Sequence, residues 1–373
     1  MINEPRSITK NDAQIHCNIT NIMTFNDLNP YLEKNIKKVY PDNFPVQIEK
    51  IGTNYLPLVV ESLKIFCHPY VNWIDNYKYL LVLIPSAFIF LNFKNKTLVI
   101  ILVLTAFNGL YQSLRSGNIS LIAQLFFLLF LICVFRRKIV ICALLFALVV
   151  YIKITIFPVY LLLFFALKNK DVKKFLTFSL VFLSSLIILT YLIDGENMRT
   201  WINYYNFLSN SENINSFNVV NDTFGNYYDT PSVPNLLHYF LQSNLVLFLV
   251  FSIVILIFTT NSLYNFQKTN MSFQTIIMDS LILYFLLNPY IRTYHLIEVS
   301  IFLCFYLKDR MNKLNYLIIF FSIIPQLTLL EVGTQVLAES SVMFISLYPP
   351  MVFTVFIFID KLKNKNKYFP LTK

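Results

Sequence analysis

Glycine is scarce, with six residues in 373, and charge is scarce too: Asp, Glu, Lys and Arg together make up 13% of the chain. A soluble domain carries about 25% charged residues. So little charge, beside 56% hydrophobic and 17% aromatic residues, excludes an ordinary water-exposed globule. A mean hydropathy of +0.59 is that of a chain with lipid-facing surface. The five cysteines form no CxxC and no Cys/His cluster, which argues against zinc and thiol–disulfide chemistry. Cys133, Cys142 and Cys304 lie in apolar runs and read as packing residues, while Cys17 and Cys67 flank one polar region and could pair. There is no internal repeat, no nucleotide-binding loop, no Gly-x-Ser-x-Gly and no His-Glu-x-x-His.

What is present is a succession of apolar runs, at 76–92, 97–114, 119–135, 138–152, 155–167, 175–193, 243–260, 274–288, 293–307, 314–330 and 341–360. A straight span needs about 20 apolar residues, with about 17 as a working minimum. Several runs are shorter. Those broken by Lys153 and Pro158, or by Asn288 and Pro289, predict half-helices or re-entrant segments. Such breaks survive only where protein or a watery cavity satisfies the backbone. The expected fold is therefore an all-α polytopic membrane protein with about 10–11 membrane segments.

The net charge of +10 is carried largely by connections: "FKNK" (93–96), "RRK" (136–138), "KNKDVKK" (168–174), the Lys268 loop, "KDRMNK" (308–313) and "KLKNKNK" (361–367). The opposite connections offer Arg115, Lys153, Arg199 and Arg292. Basic connections belong on the cytoplasmic side, so no nucleic-acid partner is expected. Residues 1–75, 194–242, 289–292 and 331–340 then lie outside, with all four histidines (His16, His68, His238, His295). This divides the chain into an outer first loop, 1–75, and a multi-span membrane domain, 76–373, with its own outer loop at 194–242. In 56–67, Leu56, Val59, Val60, Leu63, Phe66 and Cys67 fall at helical spacing with Glu61 and Lys64 opposite, which predicts a helix lying in the interface. An outer polar N-terminal segment needs a helix ahead of it to carry it across. The expectation is an apolar span preceding Met1, the other route being unaided translocation.

Charges at membrane depth cost roughly 2.5–3.5 kcal/mol each on insertion scales, so each needs a reason. Lys153 in "YIKITIFPVYLL" sits where two apolar runs break; it either snorkels to the interface or waits for a phosphate. Arg115 in "LYQSLRSGNIS" sits at a similar break, before a Gly117-Asn118 turn and a helix start, a natural anion site. The densest cluster is "LNPYIRTYHLIEVS" (287–300). On a helix, Arg292, His295 and Glu298 share a face, either as an interfacial belt or as a site. Asp279, inside the preceding run, reads as a structural buried carboxylate or an inner-leaflet contact. Asp194-Gly195-Glu196 could hold a divalent metal but reads first as a solvated turn, so no metal and no cofactor are expected. Asp12 is either a helix N-cap or an exported reactive carboxylate. Cations near the outer face suit a lipid-phosphate substrate, its phosphate among the cations and its tail among helices.

These segments, in order, resemble glycosyltransferase family 87, the polyprenol-phosphate-mannose-dependent mannosyltransferases of the GT-C class. "ND" (11–12) followed by "NPY" (29–31) and "TNYLPLVVESL" (53–63) resembles the family's opening. "SLRSGNISLIAQLFFLLFL" is similar to its Gly-Gln/Asn segment, "ALVVYIKITIFPVYLLLF" to its Lys-x-x-x-x-Pro helix, and "LNPYIRTYHLIEVSIFL" to its Ser-Pro stretch leading to a His. The resemblance implies a GT-C-like bundle in the cytoplasmic (inner) membrane with its active site facing outside. It implies an inverting transfer of a hexosyl residue, mannosyl being one candidate, from a polyprenyl-phosphate sugar to a lipid-linked or cell-envelope glycan acceptor. Asp12 would be the base. Arg115, Lys153, Arg292 and His295 would bind the lipid phosphate, and Asn29, Tyr31, Tyr55 and Tyr294 would touch sugar or acceptor. Two other classes fit broken helices with cations at depth: a transporter or flippase of lipid-linked sugars, and a polysaccharide polymerase or ligase. The first lacks a visible inverted repeat. The second usually relies on Arg and His in its outer loop, where 194–242 has one of each.

Overall fold

The computed structural model describes residues 120–193, 244–267, 271–288 and 296–307, with the single positions 234, 237 and 241. Every element among the described residues is helical. In chain order they are α1 (Ser120–Phe135), α2 (Ile139–Ile152), a 3₁₀ turn (Ile154–Ile156), α3 (Pro158–Phe164), α4 (Lys170–Ile193), α5 (Leu245–Phe266), α6 (Phe273–Leu287) and α7 (Leu296–Leu307).

The ends of these helices follow from identifiable residues. α1 closes in a six-residue C-terminal motif: Lys138 N–H donates to Cys133 O at 3.1 Å and Arg137 N–H to Val134 O at 3.1 Å. That pattern requires a left-handed residue between them, and Arg137 supplies it at φ 53°. α2 stops at Lys153 because Pro158 cannot donate to the carbonyl four residues back and its ring would strike it. The chain tightens into the 3₁₀ turn and restarts with Pro158 in the first turn of α3, where its missing N–H costs nothing. α4 is capped by Asn169, whose Oδ1 accepts from Asp171 N–H at 3.0 Å and Val172 N–H at 3.2 Å. α5 and α6 are capped in the same way by Asn244 and Ser272. α6 ends at Asn288 in an extended conformation, as the residue before Pro289 should.

The core is aromatic. Phe146 of α2 lies 5.0 Å from Phe130 of α1, 5.0 Å from Tyr160 of α3 and 5.6 Å from Phe175 of α4, ring to ring. Phe285 of α6 meets Phe127 and Phe302 of α7. α6 is buried around its whole circumference from Thr275 to Leu286, the mark of a helix inside a larger assembly. Along α2, the buried Cys142, Ala143, Phe146, Ala147, Val149 and Val150 form a helical stripe, while Val140, Ile141 and Leu144 face outward. α5 goes further: Leu245, Val246, Val250, Ile253, Leu256 and Ile257 are all more than half exposed. Exposed apolar surface of that extent marks a membrane or a partner rather than water. Two helices, Lys170–Leu189 within α4 and Leu245–Phe266, are long and apolar enough to cross a membrane.

Polar ties fix the packing. Tyr160 Oη donates to Ser179 Oγ at 2.6 Å, and Ser179 in turn donates to Ala143 O at 2.9 Å, joining α3, α4 and α2. Asn169 Nδ2 donates to Met271 O at 2.8 Å, tying the start of α4 to the turn before α6. α7 packs on α1 with Phe305 stacked on Phe135 at 5.4 Å, which places the end of α7 beside the α1–α2 turn.

Candidate functional site

One charged pair stands out in this apolar bundle. Lys153, the residue that ends α2, points its ammonium at the carboxylate of Glu298 in the first turn of α7, forming a hydrogen-bonded salt bridge. Both residues are buried, at 8% and 2% exposure. The partners are 145 positions apart in sequence. Each sits where its own helix favours it. Lys153 N–H still donates to Val149 O at 2.8 Å, so the cation follows directly on the carbonyl-rich end of α2. The carboxylate of Glu298 occupies the amide-rich start of α7. Cations are favoured at helix C-termini and anions at N-termini.

The pair lies at the opposite end of α2 from the Arg136, Arg137 and Lys138 turn. The 14 residues of α2 separate the two by about 21 Å. α7 confirms the arrangement from the other side, with Glu298 beside Lys153 and Phe305 beside Phe135. An isolated ion buried in so apolar a setting carries a penalty of several kcal/mol. The neighbouring charge makes each tolerable. An ammonium has three donors and a carboxylate about four acceptor positions. Any anion that approached Lys153 would have to share its ammonium with the Glu298 carboxylate already there.

Of the site residues drawn from the sequence, Lys153 is described: it lies at the break between α2 and the 3₁₀ turn and is buried. Asp12, Asn29, Tyr31, Tyr55, Arg115, Arg292, Tyr294 and His295 lie outside the described residues, as do Cys17, Cys67 and the Asp194-Gly195-Glu196 turn. Asp279 is buried within α6 and Cys142 within α2. Helical spacing in the sequence sets Glu298 on one face with Arg292 and His295. The structure pairs it with Lys153. The one sequence signal bearing on the pairing is a basic and an acidic residue each set within an apolar run, since a charge buried there needs a counter-charge; it does not say which.

A family model, Glycosyltransferase family 87, matches residues 79–289. The match contains the α2–α3 break with Lys153 and ends before Glu298. No curated protein and no solved structure matches the chain.

Proposed function

Because the chain belongs to glycosyltransferase family 87, and is therefore a glycosyltransferase, we propose that it moves a hexosyl residue, mannosyl being one candidate, from a polyprenyl-phosphate sugar. The acceptor is a lipid-linked or cell-envelope glycan at the outer face of the cytoplasmic membrane. The chain folds as a GT-C-like bundle of about 10–11 membrane segments, with 1–75 and 194–242 outside. The exposed apolar faces of α4 and α5 support lipid contact.

The chemistry proposed is a single inverting displacement. The acceptor hydroxyl oxygen attacks the anomeric carbon and its proton passes to the Asp12 carboxylate. The bond from the anomeric carbon to the phosphate oxygen breaks, and polyprenyl monophosphate leaves with the electron pair. That leaving group needs no general acid, but the charge growing on it must be met by cations. Lys153, Arg292, His295 and Arg115 are assigned that role, and Asn29, Tyr31, Tyr55 and Tyr294 the sugar and acceptor contacts.

The observation that carries this reading is the family match across 79–289. A buried lysine at a helix break within that match supports the phosphate assignment. The test is transfer by the purified protein from short-chain polyprenyl-phosphate mannose, glucose or galactose to a lipid extract, read as release of polyprenyl monophosphate and gain of a hexose by the acceptor. Asp12→Asn should lose at least about 100-fold in rate. Turnover of nucleotide sugars with none of the polyprenyl-phosphate sugars would reject the donor, and movement of lipid-linked sugar across vesicles without a new glycosidic bond would point to a flippase.

A further inference from the structure

The Lys153–Glu298 pair does more than any reading of Lys153 alone requires. A site built only to hold a phosphate would leave the ammonium's full charge to the ligand. Here a carboxylate of equal and opposite charge is seated on that ammonium inside the bundle. Resting on the proposed donor chemistry, we propose that Glu298 is a positioning residue that sets the charge of the phosphate site. It holds Lys153 in place and lowers the site's affinity for the dianionic lipid monophosphate relative to the monoanionic lipid phosphodiester.

The reasoning follows the charges through the reaction. A polyprenyl-phosphate sugar is a phosphodiester and carries one negative charge. The product, polyprenyl monophosphate, is a monoester, and above its second pKa of about 6 it approaches two. A bare buried lysine would hold the product more tightly than the substrate and would retain it after each turnover. With Glu298 in contact, the pair is neutral as a unit. The ammonium can still offer directed hydrogen bonds to phosphate oxygens, which are strong because they are charge-assisted. Each additional negative charge on the ligand, however, meets the Glu298 carboxylate. Inside a low-dielectric bundle that repulsion is weakly screened. The carboxylate also fixes the lysine stem, so that the ammonium is pre-aimed when the donor arrives.

The test compares binding of farnesyl phosphate (the monoester) and methyl farnesyl phosphate (the diester) to the full-length protein in nanodiscs at pH 8, for wild type, Glu298→Gln and Glu298→Asp. Inhibition of transfer by farnesyl phosphate is measured in parallel. Glu298→Gln is expected to tighten monoester binding by roughly tenfold or more, with a smaller change for the diester, and to make product inhibition correspondingly stronger. Glu298→Asp, which keeps the charge on a side chain one methylene shorter, should fall between the two, tightening the monoester by a few-fold. An unchanged monoester-to-diester ratio in Glu298→Gln would overturn the proposal and leave the pair as a packing device. If Glu298→Gln does not fold, Glu298→Asp decides through its looser contact with Lys153. A tightening of a few-fold for the monoester is then expected, and equal ratios in wild type and Glu298→Asp overturn the proposal. If the wild type binds neither phosphate yet transfers from a nucleotide sugar, the donor assignment falls and this inference falls with it. If it binds both with ratios unchanged by the variants, this inference alone falls.

Discussion

α2 has a lysine at each end, and the two ends live under different rules. At one end, Lys138 follows Arg136 and Arg137 in an exposed turn. At the other, about 21 Å away, Lys153 is buried against Glu298. Exposed charges keep their hydration, and removing one changes stability by about 0–1 kcal/mol. A buried charge has lost its water and depends on one neighbour. The same residue type is therefore nearly free to vary at one end of the helix and tightly constrained at the other.

The sharpest way to break this contrast is to remove one member of the buried pair. Lys153→Met leaves the Glu298 carboxylate unpaired in the core, and breaking a buried pair this way costs about 3–5 kcal/mol. Thermal unfolding of detergent-purified protein should show the loss, while Lys138→Met leaves the transition within experimental scatter. The double variant Lys153→Met, Glu298→Leu removes both charges and should recover most of the stability, since replacing a buried pair with apolar residues is often neutral. It should not recover transfer, because the ammonium assigned to the phosphate is gone. A double variant as unstable as Lys153→Met would mean that the cost lies in packing at the helix break, and the contrast between the two ends would lose its electrostatic basis. An activity measurement on Lys153→Ala alone cannot separate loss of a phosphate ligand from loss of the pair, so Lys153→Arg is the cleaner probe. It keeps the charge while replacing a compact ammonium with a planar fork, and should retain stability while transferring more slowly than wild type.

Between these extremes lies the neutral relay in the middle of the bundle. Tyr160 donates to Ser179, which donates to Ala143 O. Hydrogen bonds between helices in membranes average about 0.6 kcal/mol, with a maximum near 1.7. Tyr160→Phe should cost an amount in that range by thermal unfolding, well below Lys153→Met. A loss as large as that of the charged pair would show that burial of any polar group, rather than charge, governs this bundle.

The sequence made the helices legible wherever apolar pattern and helix coincide. The runs 119–135, 138–152 and 274–288 lie within a residue or so of α1, α2 and α6. It misplaced ends wherever polar residues join a helix. α4 begins at Lys170 rather than at 175, because Asn169 caps it and Asp171 suits its first turn. α5 runs to Phe266 rather than 260, because Thr259 and Thr260 return their hydroxyls to carbonyls one turn back. At the site, Lys153 was visible as a charge in an apolar run, and Pro158 announced the break. Its pairing with Glu298 was not, because helical spacing ties Glu298 to its neighbours and says nothing of a residue 145 positions away.

The smallest effect expected is at the exposed end. Arg137 occupies the left-handed position that ends α1, at φ 53°, where glycine is usual. A side chain with a Cβ is held there at a cost of roughly 1–2 kcal/mol per residue. Arg137→Gly removes that cost but gives the unfolded chain more freedom, which takes back part of the gain. The charge it deletes is exposed and contributes little. The net expectation is a stabilisation of at most about 1 kcal/mol, read as a small rise in the unfolding temperature. A clear destabilisation would mean that the Arg137 side chain itself holds the turn, and that this end of α2, like the other, rests on a specific charge contact.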